Sequence, residues 1–410
     1  MKKSYQSPST LFQRPVNGER AAAVLTGMRE MLGILLGGLL LLATAGPGGP
    51  TAPFREPRVL TLGKNRSPAA LAAGDFNRDG KLDLAVGSGG ADDVTLFLGD
   101  GRGGLTQAGS FPAGPSPTEM VAADFNRDGN LDLAIANHGV PSLTVLLGDG
   151  RGGFRPAPGS PLAVRSRPHP HTVDVCDANS DGILDLVVDS WGENRLTLLL
   201  GDGKGGFAAP GIPIEAGRKP YRNVRFADLD RDGRCDLVMP NMVERGVTIL
   251  LGDGRGGFRG SERPPIPAGP SPFTVAVADI DGDGRPDIAV GNYSGHGDDP
   301  SGDGLTFLLG DGHGNFRLGP LIKTGRSSGD VAVGDVNGDR VADVATVNAG
   351  SRDITLAFGG SGGLSAARTV TVPDAGRSWR ILFADFDGNR RADAVTASPD
   401  DHTVTVFLAR

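Results

Sequence analysis

The 410-residue chain contains 65 Gly and 30 Pro, is 38% apolar and 5% aromatic, and carries a formal net charge of −7 from 41 basic and 48 acidic residues. This much glycine and proline argues against a helical bundle, the lack of a strict Gly triplet argues against collagen, and an acidic balance without a polybasic run argues against nucleic acid as a partner. Cys176 and Cys235 are the only cysteines, too few for a disulfide scaffold and without the paired spacing of a zinc site.

Near the N-terminus, Leu32 to Ala45 form an apolar run that ends in Ala43-Thr44-Ala45, with basic residues only upstream. Residues 1–45 therefore read as a cleaved secretory signal. As a helix the run would span about 21 Å against a hydrocarbon core of roughly 30 Å, which makes a membrane anchor the weaker of the two readings. The expectation is a secreted, periplasmic or cell-surface protein with no stable membrane insertion. Residues 46–53 read as a short linker and residues 54–410 as one repeat domain.

From Asp75 onward the pattern D-x-[DN]-x-[DN]-x-x-x-D occurs seven times, starting at Asp75, Asp124, Asp177, Asp228, Asp279, Asp335 and Asp385. Each copy is followed by an apolar run headed by a threonine, at Thr95, Thr144, Thr197, Thr248, Thr306, Thr355 and Thr405. A Gly-rich turn comes next, such as G-D-G-R-G-G at 99–104, 148–153 and 252–257. One period then holds four short strands: the run into the Asp loop (Leu71-Ala72-Ala73), the run out of it (Leu84-Ala85-Val86), the Thr-headed run, and one after the turn. Four strands per 49 to 56 residues is a propeller blade. The fold class is all-β, a seven-bladed β-propeller of four-stranded blades. Because the last Thr-headed run stops at Leu408 without its turn, Arg55 to Leu62 is expected to supply the outer strand of the final blade and so close the ring.

The stretch V-A-A-D-F-N-R-D-G-N-L-D-L-A-I at residues 121–135 resembles the FG-GAP/VCBS repeat, the blade of the integrin α-subunit N-terminal propeller and of many secreted bacterial proteins. The resemblance covers residues 54–410. It implies a propeller with calcium in its loops and does not specify a ligand.

The loop residues themselves also suit calcium, a hard cation that takes oxygen ligands at alternating chain positions around a glycine turn. In the first loop, Asp75, Asn77, Asp79 and Asp83 occupy positions 1, 3, 5 and 9, with Gly80 at 6 and the carbonyl of Lys81 at 7. The next loops use Asp124, Asn126, Asp128, Asp132 and the Asn130 carbonyl, then Asp177, Asn179, Asp181, Asp185 and the Ile183 carbonyl. The fourth and fifth use Asp228, Asp230, Asp232, Asp236 and the Arg234 carbonyl, and Asp279, Asp281, Asp283, Asp287 and the Arg285 carbonyl. The sixth carries Asp335, Asn337, Asp339 and Asp343, the seventh Asp385, Asp387, Asn389 and Asp393, but position 6 is Arg340 and Arg390 respectively. Without glycine there, these two loops are expected to bind calcium more weakly. The total expected is about five to seven calcium ions, each clamping a turn.

Strand alternation puts the Asp loops and Gly turns on one face of the ring. The other face receives the segments leading into first strands and those joining second to third strands. Trp191, Tyr293, His138, His296 and His402 fall in the latter connections, and Trp379, Tyr221, Phe273, His169 and His171 in the former. In a chain this poor in aromatics, the concentration predicts a recognition surface centred on Trp191, Trp379, Tyr221, Tyr293 and His171 for an extracellular glycan or protein, presented by a monomer. The competing account is that the tryptophans wedge between blades. His169-Pro170-His171, with Asp174 and Asp189 nearby in sequence, has the composition of a transition-metal or acid–base site. Ser-Pro at the matching points Ser67-Pro68, Ser116-Pro117 and Ser271-Pro272 makes variation of a turn the simpler reading. No nucleophile elbow, phosphate loop or zinc-hydrolase motif occurs, so the expectation is a protein that is not an enzyme. The alternative is a calcium-dependent polysaccharide lyase or hydrolase built on a propeller. Cys176 and Cys235 read as small buried thiols rather than a bridge.

Overall fold

The computed structural model describes residues 53–410 apart from 64, 191, 218–222, 261–262, 296–301, 361–368 and 375. The secretory signal and most of the linker therefore lie outside the described residues, as do Trp191, Tyr221 and His296.

In blade 1, Pro68–Gly74, Asp83–Ser88, Asp93–Gly99 and Leu105–Pro112 pair in sequence order, each antiparallel to the next. Six further sheets repeat this meander, with first strands at Pro117–Ala123, Val173–Cys176, Arg225–Ala227, Pro272–Ala278, Ser328–Gly334 and Arg380–Ala384. These first strands neighbour one another around a complete circle, blade 7 meeting blade 1. The fold is thus the seven-bladed all-β propeller that the repeats predict.

Closure takes the expected form. Arg58–Thr61 is the outer strand of the last blade and pairs antiparallel with Thr403–Phe407, Arg58 opposite Val406 and Thr61 opposite Thr403. Phe54 bridges Ala409, and the Arg410 N–H donates to the Pro53 carbonyl at 3.0 Å. The two ends of the domain are therefore stitched together, and the third strand of blade 7 has no open edge.

Burial explains the residue pattern along each blade. Every second strand is buried along its whole length, because both of its faces meet neighbouring blades, and so reads as a continuous apolar run rather than an alternation. Outer strands are largely exposed, and proline interrupts two of them. In blade 2 the outer edge is split into Phe154–Pro156 and Leu162–Ala163, in blade 4 into Phe258–Arg259 and Ile266–Pro267. Among the described residues the apolar core comprises seven clusters, one at each blade boundary, such as Leu143, Val145, Val173 and Leu186 between blades 2 and 3. The recurrent threonine of the third strand is buried, and in blades 2, 5 and 6 it accepts a side-chain amide from the end of the second strand: Asn137 to Thr144 at 2.9 Å, Asn292 to Thr306 at 3.0 Å, Asn348 to Thr355 at 2.9 Å. That pairing satisfies two polar groups which the core would otherwise strand.

Cys176 and Cys235 form a disulfide, with Cα atoms 6.4 Å apart, which corrects the reading of two separate thiols. The reason lies in the repeat. The residue just before the first Asp of one loop abuts position 8 of the next blade's loop. A Cβ on Gly74 would stand 2.5 Å from Leu131, and one on Gly334 would stand 3.0 Å from the Ala392 Cβ, the same contact in other blades.

Candidate functional site

The Asp loops are built alike. In blade 1 the Asp79 N–H donates to Asp75 Oδ1 and to Asn77 Oδ1, both at 3.0 Å, and the Gly80 N–H donates to Asp75 Oδ2 at 2.9 Å. The Lys81 N–H donates to Asp79 Oδ1 at 3.0 Å. These bonds curl the loop so that its carboxylates converge. Among the described residues, carboxylate oxygens of Asp228, Asp230 and Asp232 lie within 4.8 Å of one another, as do those of Asp279, Asp281 and Asp287 and those of Asp385, Asp387 and Asp393.

Position 9 has a second task that the sequence reading did not assign. Asp83 is fully buried; its Oδ2 accepts the Phe76 N–H and its Oδ1 the Gly99 N–H, both at 2.9 Å. The same two-armed bond recurs at Asp132, Asp185, Asp236, Asp287, Asp343 and Asp393, the second donor being Gly148, Gly201, Gly252, Gly310, Gly359 and Ala409. Each position-9 carboxylate therefore ties the Asp loop to the end of the third strand, which in the first six blades is the start of the Gly turn. Desolvation outweighs these hydrogen bonds and pushes Asp132, Asp236, Asp343 and Asp393 up to about 6. Buried carboxylates of raised pKa beside further carboxylates constitute an oxygen-only donor set that fits a hard divalent cation.

Glycine at position 6 does not distinguish the loops as the sequence suggested. Arg340 and Arg390 do adopt left-handed φ of 70° and 65°, and their N–H groups still reach Asp335 and Asp385 at 2.7 Å. Position 4, however, is left-handed as well, occupied by Arg78, Arg127, Ser180 and Arg231 in the first four loops and by Gly282, Gly338 and Gly388 in the last three. The sixth and seventh loops have moved their glycine from position 6 to position 4, so the backbone cost per loop matches that of the first four. What does set the seventh apart is Arg55, whose guanidinium lies 3.2 Å from the buried carboxylate of Asp387.

On the opposite face three of the described aromatics gather, Trp379, Tyr293 and Phe273. Trp379 and Tyr293 meet edge to face with ring centroids 5.6 Å apart, and Tyr293 lies 4.9 Å from Phe273. Trp379 also packs over Gly329, where an added Cβ would stand 3.6 Å from its ring, so it partly fills a blade boundary while its other side is half-exposed. His171 is buried: its Nδ1 is 3.0 Å from Asp189 Oδ2, and Asp189 Oδ1 accepts the N–H groups of His171 and Thr172 at 2.6 and 3.0 Å. It is a held residue rather than an open contact surface. Asp174 faces elsewhere, accepting the Phe226 N–H at 2.7 Å.

The central channel holds a charged network that sequence reasoning missed. Glu119 from blade 2 accepts from Arg225 of blade 4 at 2.7 Å and pairs with Arg380 of blade 7 at 3.1 Å. Arg380 also pairs with Asp330 of blade 6 at 3.5 Å and donates to the carbonyls of Ala69 at 3.0 Å and Thr118 at 2.6 Å. Together with Asp174 these side chains line a cavity of about 350 Å³. Burial pushes the carboxyls of Asp330 and Asp174 upward, partly offset by Arg380 and Arg225 respectively. A signal was present: the position five before each loop's first Asp reads Ala70, Glu119, Thr172, Asn223, Thr274, Asp330 and Arg380, polar in six blades of seven.

A family model described as FG-GAP-like repeat matches residues 75–135, 128–188, 241–290 and 335–396. No match is found among curated proteins. Among solved structures the chain is similar to BBS1N, crystallised in complex with ARL6DN and soaked with lead, with a TM-score of 0.57 and 11% identity over 84% of this chain and 93% of that one. It is also similar to a protein from Lactobacillus plantarum, with a TM-score of 0.54 and 19% identity over 75% of this chain and 86% of that one. Identities this low concern the fold alone. With seven matching Asp loops on seven blades, and a family model that spans more than half of the residues, the chain belongs to the FG-GAP-like repeat family.

Proposed function

We propose that this propeller is an exported, calcium-stabilised recognition module whose face opposite the Asp loops binds an extracellular glycan or protein. The reading rests on one observation: Trp379 and Tyr293, half-buried rings from blades 7 and 5 with the buried Phe273 behind Tyr293, converge on that face in a protein otherwise poor in aromatics. Rigid rings with a polar edge suit stacking on sugars or protein side chains at little entropic cost. Calcium serves structure here, with the Asp loops carrying the ions on one face and leaving the other for contact. The Cys176–Cys235 bridge fits an oxidising compartment, and no helix among the described residues is long and apolar enough to cross a membrane.

A glycan array, run with calcium and again with chelator, tests the reading alongside capture of extracellular proteins on immobilised propeller. Binding should be saturable, lost with chelator, and lost in Trp379→Ala, which should melt lower for want of its packing over Gly329 but stay folded at the assay temperature. Binding that survives both treatments would place the contact surface elsewhere.

A further inference from the structure

Three histidines from two neighbouring blades meet on the face away from the Asp loops. His138 follows the second strand of blade 2, and His169 and His171 lead into the first strand of blade 3. Their ring centroids are 3.8, 5.0 and 4.9 Å apart, and each offers a ring nitrogen within 4.8 Å of the others. The sequence showed only the His169-Pro170-His171 half of this group, which is why it read as a variant turn.

The backbone of these connections does not depend on imidazole. The His138 N–H donates to the Ser116 carbonyl at 2.9 Å, and the same bond is made by Gly89 to Ser67, Tyr293 to Ser271 and Ala349 to Ser327 at 2.9 to 3.1 Å. Where His138 stands in blade 2, blades 1 and 6 have glycine and alanine. Where His171 stands in blade 3, blades 1 and 2 have Ala69 and Thr118. The backbone hook is common to the blades while the rings are particular to one boundary.

Asp189 supplies the second half of the argument. Buried and anchored by two backbone N–H groups, it holds His171 through Nδ1 and so fixes the tautomer in which Nδ1 carries the proton and Nε2 keeps its lone pair. A carboxylate behind a histidine is the arrangement that orients imidazole ligands at metal centres. Pro168 and Pro170 flank His169 and restrict the backbone of the segment that carries it.

We propose that His138, His169 and His171 form a binding site for a divalent transition ion of the zinc class, with Asp189 as the positioning residue behind His171. Three neutral nitrogen donors select a borderline ion such as Zn²⁺ over Ca²⁺, which prefers the oxygen-only loops of the other face. Three protein ligands leave a fourth position for water or for a donor group from a bound molecule. His138 and His169 are half-buried, so that position lies on the solvent side.

The test uses untagged protein saturated with calcium. Cobalt(II) chloride is titrated in, followed by visible absorption, and zinc binding is followed by calorimetry. One equivalent of cobalt should give the intense bands of four-coordinate geometry, zinc should displace it, and excess calcium should not. His138→Ala/His169→Ala should abolish the bands while retaining the wild-type melting profile. Asp189→Asn should weaken zinc affinity by about 10- to 100-fold. If the double variant fails to fold, His138→Ala alone, on an exposed connection, takes its place with loss of the same bands. Weak bands of six-coordinate oxygen geometry, displacement by calcium, or unchanged binding in a folded histidine variant would each overturn the site.

Discussion

Replacing Arg380 with methionine, which keeps much of the side-chain volume but removes the guanidinium, tests whether the channel network holds the ring together. The Arg380 side chain is 7% exposed and touches four groups on three other strands: the carboxylates of Glu119 and Asp330 and the carbonyls of Ala69 and Thr118, on blades 1, 2 and 6. The wild-type channel sets three carboxylates, Glu119, Asp174 and Asp330, against two guanidiniums. The substitution would leave three against one. Breaking a buried pair by removing one partner costs about 3–5 kcal/mol, because the remaining charges keep their desolvation penalty. With an unfolding entropy of about 2.1 cal/mol/K per residue over roughly 350 residues, a loss of ~4 kcal/mol lowers the melting temperature by ~5 °C. Glu119→Gln is the informative contrast, since it leaves Asp174 and Asp330 balanced by Arg225 and Arg380 and should cost well under half as much. Lowering the pH should shrink the Arg380→Met deficit, because Asp330, already pushed upward by burial, can then take a proton. Differential scanning calorimetry in calcium reads all three proteins. Arg380→Met within 1 °C of wild type, or Glu119→Gln the more damaging of the two, would show that channel water screens the network and that it contributes little.

Calcium and pH should act in opposition. In chelated protein four position-9 carboxylates, Asp132, Asp236, Asp343 and Asp393, are raised to about 6 from 3.8 by burial, so the folded state holds their protons more tightly, and stability should fall as the pH rises from 4 to 7. Calcium needs the ionised form, so its increment in melting temperature should be largest at pH 7 and shrink through pH 6; an increment that ignores pH would contradict the assignment of these residues. Opening the Cys176–Cys235 bridge, which closes a separation of 59 residues, should cost about 4 kcal/mol by loop-closure entropy, read as a lower denaturation midpoint for Cys176→Ala/Cys235→Ala. Arg390→Gly should add about 1 kcal/mol of stability by relieving the left-handed φ of 65°, read as a higher denaturation midpoint, and no gain would mean that the Arg390 side chain compensates by its contacts.

How much of this was legible follows from what a repeat makes visible. Strand order, blade number and closure by Arg58–Thr61 depend on features that recur at one period, and recurrence multiplies a weak local signal into a specific one. The disulfide, the histidine group and the channel charges are contacts between blades, and they join residues that belong to different repeats. Cys176 and Cys235, or His138 and His171, look unrelated along the chain. They become neighbours only when each blade is laid on the next with the offset that Gly74 and Leu131 reveal. Glu119, Asp330 and Arg380 looked like single interruptions of apolar strands, each tolerable within its own blade. Aligned by their distance from the loop aspartate they form a polar column, and a column at one radius of a closed ring must face the axis or the next blade. The same alignment reverses the reading of Arg340 and Arg390. Taken one loop at a time they are lost glycines, whereas beside Gly338 and Gly388 they are glycines moved by two positions. The blade stack therefore carries two kinds of information. What repeats builds the ring, and what breaks the repeat at a shared boundary, as at His138, His169 and His171, is where side-chain chemistry particular to one boundary enters.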